Sequence, residues 1–213
     1  KTATDEALYD GTAHGNGGHD WLRDAADYTG IFGQVQEGAF GLLETIGHSV
    51  LAKEQTVPSF TDVRRSESGA VEGYENAFAV RIVNAENDDV TGNYDVRYLY
   101  GTFTVTPRPV TFVTEGHEWV YDGTAHSWGG HAVAEGSAYG HEGEHTTRAI
   151  GSTYVTNVAD SGTVNELTVA VYDGAEDVTA NYEIAYDADG AGILTVTPRA
   201  VVIATATDKK VYD

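Results

Sequence analysis

FTVT at 103–106 and LTVT at 194–197 alternate apolar and hydroxyl residues, the period-two pattern of a strand buried on one face. Pro107 and Pro198 follow them. Proline removes a ladder donor and fixes φ, so each strand should end there. New strand-like runs, VTFV at 110–113 and AVVIAT at 200–205, begin almost at once, with no Gly/Ser linker between. DVTGNYDVRY at 89–98 and DVTANYEIAY at 177–186 each predict a turn leading into a strand, with Tyr, Val or Ile, and Tyr on one face. A Tyr so soon after an Asp-containing turn is like the corner of immunoglobulin-like sandwiches. The stretch 38–52, GAFGLLETIGHSVLA, has apolar residues at 39, 43, 46 and 50 that suit a short helix. Its three glycines and flanking strand signals weigh against one.

These elements recur. YDGTAH followed by GGH stands at 9–19 and again at 121–131. DDVTGNYDV at 88–96 is echoed by EDVTANYEI at 176–184, and GTFTVTPRPV at 101–110 by GILTVTPRAV at 192–201. TATDEALYD at 2–10 matches TATDKKVYD at 205–213. Three blocks in one order make a tandem repeat. The first copy is longer, chiefly in 20–47, whose Gly and acidic residues suit surface loops or extra hairpins. The predicted fold is all-β: two tandem sandwich modules end to end, immunoglobulin-like or β-grasp-like in detail. The first covers 1–107, the second 108–204, and 205–213 opens a third repeat or forms a terminal strand. Because the chain starts and stops within a repeat, it is expected to be part of a longer array. Junctions at Pro107 and Pro198 favour a stiff, extended rod.

Composition narrows the function. The net charge of −21 repels nucleic acid and anionic membranes. The absence of cysteine removes disulfides, thiolate zinc sites and thiol catalysis. No signal peptide is evident, and the longest apolar run, AVVIATA at 200–206, is far too short to span a bilayer.

YDGTAH, GHSV, FTDV, DVTGNY and GTFTVTPRPV, in that order, resemble the tandem mostly-β, glycine-rich (MBG) and YDG modules of bacterial surface adhesins. The resemblance covers nearly the whole chain. It implies immunoglobulin-like or related β units in an extracellular, cell-wall-anchored stalk, with neighbouring repeats as partners and no catalytic residues. The longer 20–47 region of the first copy departs from the pattern.

Candidate chemistry is sparse. HEGEH at 141–145 fits the H-E-x-x-H zinc signature, which needs a helix to bring both imidazoles to one face. Gly140 and Gly143 oppose a helix, and the repeat aligns His145 with His48 at the opening of a strand, so catalytic zinc is set aside. His14 and His19 recur as His126 and His131; two ligands make a weak metal site, and structural turn roles fit better. Asp88, Asp89, Asp173 and Asp177, with Glu86, Glu176, Asp187 and Asp189, are calcium candidates, but none forms an alternating oxygen loop. No other cofactor is implied. A Lys–Asn cross-link has no donor in copy two, which lacks Lys between Lys53 and Lys209. No nucleophile elbow is present, and GNGG at 15–18 is not followed by a helix. Trp21, Trp119 and Trp128 suit either a core or a sugar face. The first reading is a stalk that projects a distal binding domain. The alternative is a host glycan or matrix-protein site on the 20–47 insertion, using Trp21, Tyr28 and Phe32. Their exposure on that insertion would favour a site, and their burial would oppose one.

Overall fold

The computed structural model describes residues 1–212 except Val35, Glu37, Gly38 and 139–144. It is mostly strand with few helices. Among the described residues no helix is long and apolar enough to cross a membrane. Among the described residues the chain divides into two compact units, the first Lys1–Arg108 with Ala180–Glu183, the second Pro109–Ala138 with 145–179 and 184–212.

Up to residue 106 the strands are β1 (Asp5–Leu8), β2 (Ser49–Ala52), β3 (Arg64–Arg65), β4 (Val71–Glu72), β5 (Tyr74–Asn76), β6 (Val80–Val83) and β7 (Gly101–Thr106). They form the sheet β1-β7-β5 and the pairs β2-β6 and β3-β4. From 108 onward come β8 (Arg108–Thr114), β9 (His117–Val120), β10 (His131–Val133), β11 (His145–Ser152), β12 (Thr163–Val164), β13 (Leu167–Asp173), β14 (Glu176–Asp177), β15 (Tyr182–Tyr186) and β16 (Ile193–Thr197). Their sheets are ordered β10-β8-β15, β11-β13-β14 and β12-β16-β9.

The period-two runs are strands, β7 and β16, and both end at the residue before proline. Inward positions carry the cores. Phe103 and Val105 are buried from β7, Val110 and Phe112 from β8, and Leu194 and Val196 from β16. Each large apolar side chain removed from water contributes about 1.5–3 kcal/mol.

Each copy pairs the strand that leads into its YDG turn in parallel with its closing strand. β1 runs alongside β7 from Asp5↔Phe103 to Leu8↔Thr106, and β9 alongside β16 from His117↔Leu194 to Val120↔Thr197. A glycine stands at the start of β7 and just before β16, because the backbone passes too close for a side chain. A Cβ at Gly101 would strike the Ala3 carbonyl, and one at Gly192 the Glu115 backbone.

Four elements differ from the sequence pattern; one is 94–98, expected as a strand after its turn, which forms none. A helix, α1 (Ala25–Phe32), forms inside the insertion, capped by Asp24, whose side chain accepts from Ala26 N–H. Its exposed, glycine-containing sequence carries no strong apolar period. The 38–52 stretch instead contains a 3-10 turn at Glu44–Ile46, stopped by Gly47 at φ 85°, and then β2. Finally, AVVIAT at 200–205 forms no strand. Val201, Val202 and Ile203 are 79%, 93% and 82% exposed, since no neighbouring strand covers them.

Candidate functional site

The repeated turn is built identically twice. In the first copy Asp10 Oδ1 accepts from Thr12 N–H (2.9 Å) and the Thr12 hydroxyl (2.7 Å), with His14 Nε2 at 2.8 Å. A carboxylate can only accept, so His14 carries its proton on Nε2. In the second copy Asp122 takes the same three partners from Thr124 and His126, at 2.9, 2.7 and 2.9 Å. Gly11 and Gly123 complete the turns at φ 79° and 80°. The hydrogen bond from Thr124 N–H, then those from the Thr124 hydroxyl and His126, hold the Asp122 carboxyl down at about 2. Asp10 is lowered in the same way, first by the Thr12 hydroxyl, then by Thr12 N–H and His14.

His19 and His131 serve other partners. His19 places Nδ1 on Gly17 O (2.9 Å) and Nε2 on Val50 O (3.1 Å). His131 places them on Gly129 O (2.8 Å) and Thr147 Oγ1 (3.0 Å). The two histidines of each YDGTAH–GGH block therefore do not share a ligand.

Two of the acidic candidates, Asp89 and Asp177, are turn caps. Asp89 Oδ1 accepts from Thr91 N–H, and Asp177 Oδ1 from Thr179 N–H; both carboxyls sit below their ordinary range, held first by the threonine hydroxyl. Asp88 is engaged by Asn84, and Asp173 lies at the β13–β14 turn opposite Glu176. Among the described residues no three or more His, Asp or Glu side chains are grouped to hold a metal. Of HEGEH, residues 141–144 lie outside the described residues; His145 is buried as the first residue of β11.

Trp119 and Trp128 pack partly buried against Val155, Leu194 and Val196. His117 stacks on Trp128 with centroids 4.2 Å apart, and Trp119 on His126 at 5.1 Å.

Trp21, Tyr28 and Phe32 are brought together. They line a groove of about 430 Å³ in the first unit, formed by the insertion, by 19–22 and by 93–99, with Val80 and Ile82 in its floor. Tyr28 meets Phe32 and Phe40 at centroid distances of 5.2 and 5.1 Å. Trp21 is held by Glu44, to which Nε1–H donates at 3.2 Å, and by Arg23, whose guanidinium lies 4.9 Å from the ring. Arg23 is in turn paired with Asp20 at 2.8 Å. Trp21 and Tyr28 are half-buried and Phe32 is exposed, so none belongs to the closed core.

Two residues escaped the sequence reading. Asn76 and Asn165 are buried, each donating two hydrogen bonds to backbone carbonyls of its own unit: Ala3 and Asn16 for Asn76, Glu115 and Trp128 for Asn165. Each thereby fastens the segment leading into β1 or β9 to the glycine-rich loop of its copy. The available signal was positional: each Asn stands four residues before a core valine, Val80 and Val169, in otherwise unlike stretches.

Compared with protein-family models, curated proteins and solved structures, the chain matches none.

Proposed function

We propose that this chain is a stalk or spacer segment of a bacterial surface adhesin, made of tandem MBG/YDG-type, immunoglobulin-like modules. It holds a distal binding domain away from the cell wall, outside the cell, and catalyses nothing. One observation carries this reading. The polar side chains that recur in both copies, Asp10/Asp122, Thr12/Thr124, His14/His126, His19/His131 and Asn76/Asn165, are engaged with the chain's own turns and backbone. What the repeat preserves is scaffold. The charge of −21 fits a segment that must stay dissolved and resist sticking to its neighbours.

A second reading rests on the groove. Aromatic faces at Trp21, Tyr28 and Phe32, partly open and beside acidic groups, suit a glycan ring or an apolar side chain of a matrix protein. One experiment separates the two. The chain is tested against glycans and host matrix proteins beside a variant with 20–47 shortened to the length found in the second copy. A spacer binds in neither form. Binding by the native chain alone, lost on shortening, assigns adhesion to the insertion and overturns the pure spacer reading.

A further inference from the structure

The glycine-rich loop of the first copy holds a reactive pair that the second copy lacks. Asn16 is followed by Gly17, and no other asparagine of the chain precedes a glycine. In the second copy Trp128 stands at the place of Asn16, and His117 at that of Asp5.

The surroundings of Asn16 prepare its side-chain amide for attack. Oδ1 accepts from Gly18 N–H at 2.6 Å, and Nδ2 donates to Asp5 Oδ2 at 2.5 Å. The first bond polarises the Cγ carbonyl and steadies the negative charge that a nucleophile would place on Oδ1. Among the described residues no acceptor takes the Gly17 N–H, so that nitrogen is not tied down. With no Cβ on Gly17, nothing beside the nitrogen crowds its approach. Asn16 and Gly17 are half-buried while Asp5 and Gly18 are exposed, so water reaches the loop.

We propose that Asn16–Gly17 is a site of spontaneous modification, where the carboxamide becomes a carboxylate through a cyclic imide. Water is the only co-reactant. The Gly17 nitrogen gives its proton to solvent base and bonds to Asn16 Cγ. The Cγ–Nδ2 bond breaks, and Nδ2 takes a proton from water and leaves as ammonia. Water then adds to one of the two imide carbonyls and cleaves its bond to the ring nitrogen. Cleavage at Cγ leaves aspartate. Cleavage at the main-chain carbonyl leaves isoaspartate, with the chain rerouted through Cγ. The step is redox-neutral.

The position of the pair gives the conversion its effect. A donor to Asp5 becomes an acceptor, and two carboxylates then face each other at the first residue of β1. In the isoaspartate product, the main-chain carbonyl that Asn76 grips at 2.9 Å no longer belongs to a peptide bond. One event thus strikes both the entry to β1 and the buried clasp. The Asp–Gly pairs of the two YDG turns resist the same ring closure, because an ionised carboxylate held by three donors is a poor electrophile. The first copy therefore carries a one-way clock that loosens it with age. This goes beyond the spacer reading and does not depend on it.

The test ages the full chain in mildly alkaline buffer. Each asparagine is followed by peptide mass and by isoaspartate-specific methylation. Asn16 should convert roughly tenfold ahead of any other asparagine. Gly17→Ala, whose methyl would meet Val57 Cγ2 at an ordinary 3.4 Å, should slow that conversion. Asn16→Asp mimics the first product, so its unfolding midpoint should fall below wild type. Asp5→Asn in the same chain should restore it. The proposal is overturned if Asn16 converts no faster than the other asparagines, or if Gly17→Ala leaves its rate unchanged. It is equally overturned if Asn16→Asp unfolds at the wild-type midpoint, or if adding Asp5→Asn recovers nothing.

Discussion

DVTGNYDVRY and DVTANYEIAY differ at four of ten positions, yet only the second becomes a strand. Their first halves behave alike. Asp89 and Asp177 cap a 3-10 turn, and Thr91 and Thr179 accept a strand N–H, from Ile82 and Val171, at 2.8 and 2.9 Å. Their second halves part. At 182–186 the chain lies beside β8, and Tyr186 Oη accepts from Val169 N–H at 2.8 Å. At 94–98 no ladder forms, and the matching contact from Val80 N–H to Tyr98 Oη stretches to 3.4 Å. The turn is local chemistry, complete within three residues. The strand belongs to the pair, and needs a neighbour to exist.

That contrast can be broken most severely at its centre. Phe112→Ala removes the fully buried ring of β8 and should cost the second unit about 3–5 kcal/mol in denaturant unfolding, read through Trp119 and Trp128. Hydrogen exchange at 182–187 should rise toward that of 94–99. If 182–187 stays protected, the strand does not depend on β8.

Asn76→Ala and Asn165→Ala come next. Each leaves two backbone carbonyls without their donor and should cost about 1–3 kcal/mol. The two losses should be similar, because this clasp is the same in both units whatever happens in the strand lane. A much smaller loss for Asn76 would mean that the first unit is loosened throughout.

Acid offers a milder probe. Asp122 is depressed from 3.8 to about 2 in the folded chain. Its stabilisation is therefore present above pH 4, and is lost as pH falls from about 4 through 2. Asp122→Asn should flatten that part of the second unit's stability curve, and Asp10→Asn should do the same for the first. The smallest effect belongs to Arg23→Ala. Arg23 and Asp20 are both more than half exposed, so the unfolding midpoint should not move measurably. A clear shift would show that the insertion is packed more firmly than its exposure implies.

Much of the fold was legible in the sequence because it is written locally and twice. Period-two runs before Pro107 and Pro198, the YDG turns, and the Asp–x–Thr caps all need only neighbouring residues. The insertion helix was not legible, since Ala25–Phe32 is exposed and offers no apolar stripe; its cap at Asp24 was the only cue. AVVIAT reads as a strand because its side chains suit one, but a ladder requires a partner that no composition supplies. The aromatics at 21, 28 and 32 could be named from type alone. Their convergence on a groove depends on His19 and 93–99 arriving from distant parts of the chain. Asn76 and Asn165 were missed because asparagine usually signals a surface turn. Here, burial converts each carboxamide into a clasp.

The parallel pairing of β1 with β7, and of β9 with β16, has a consequence for force. Tension applied between the start of β1 and the finish of β7, or between the start of β9 and the finish of β16, pulls the two members of each pair in opposite directions. Because those strands run the same way side by side, tension slides one along the other. Every rung from Asp5↔Phe103 to Leu8↔Thr106 is then loaded at once, as is every rung from His117↔Leu194 to Val120↔Thr197. An antiparallel pair gripped at one edge would peel rung by rung. Gripped in that way, each parallel pair resists extension by shear, and its ladder breaks in a single event.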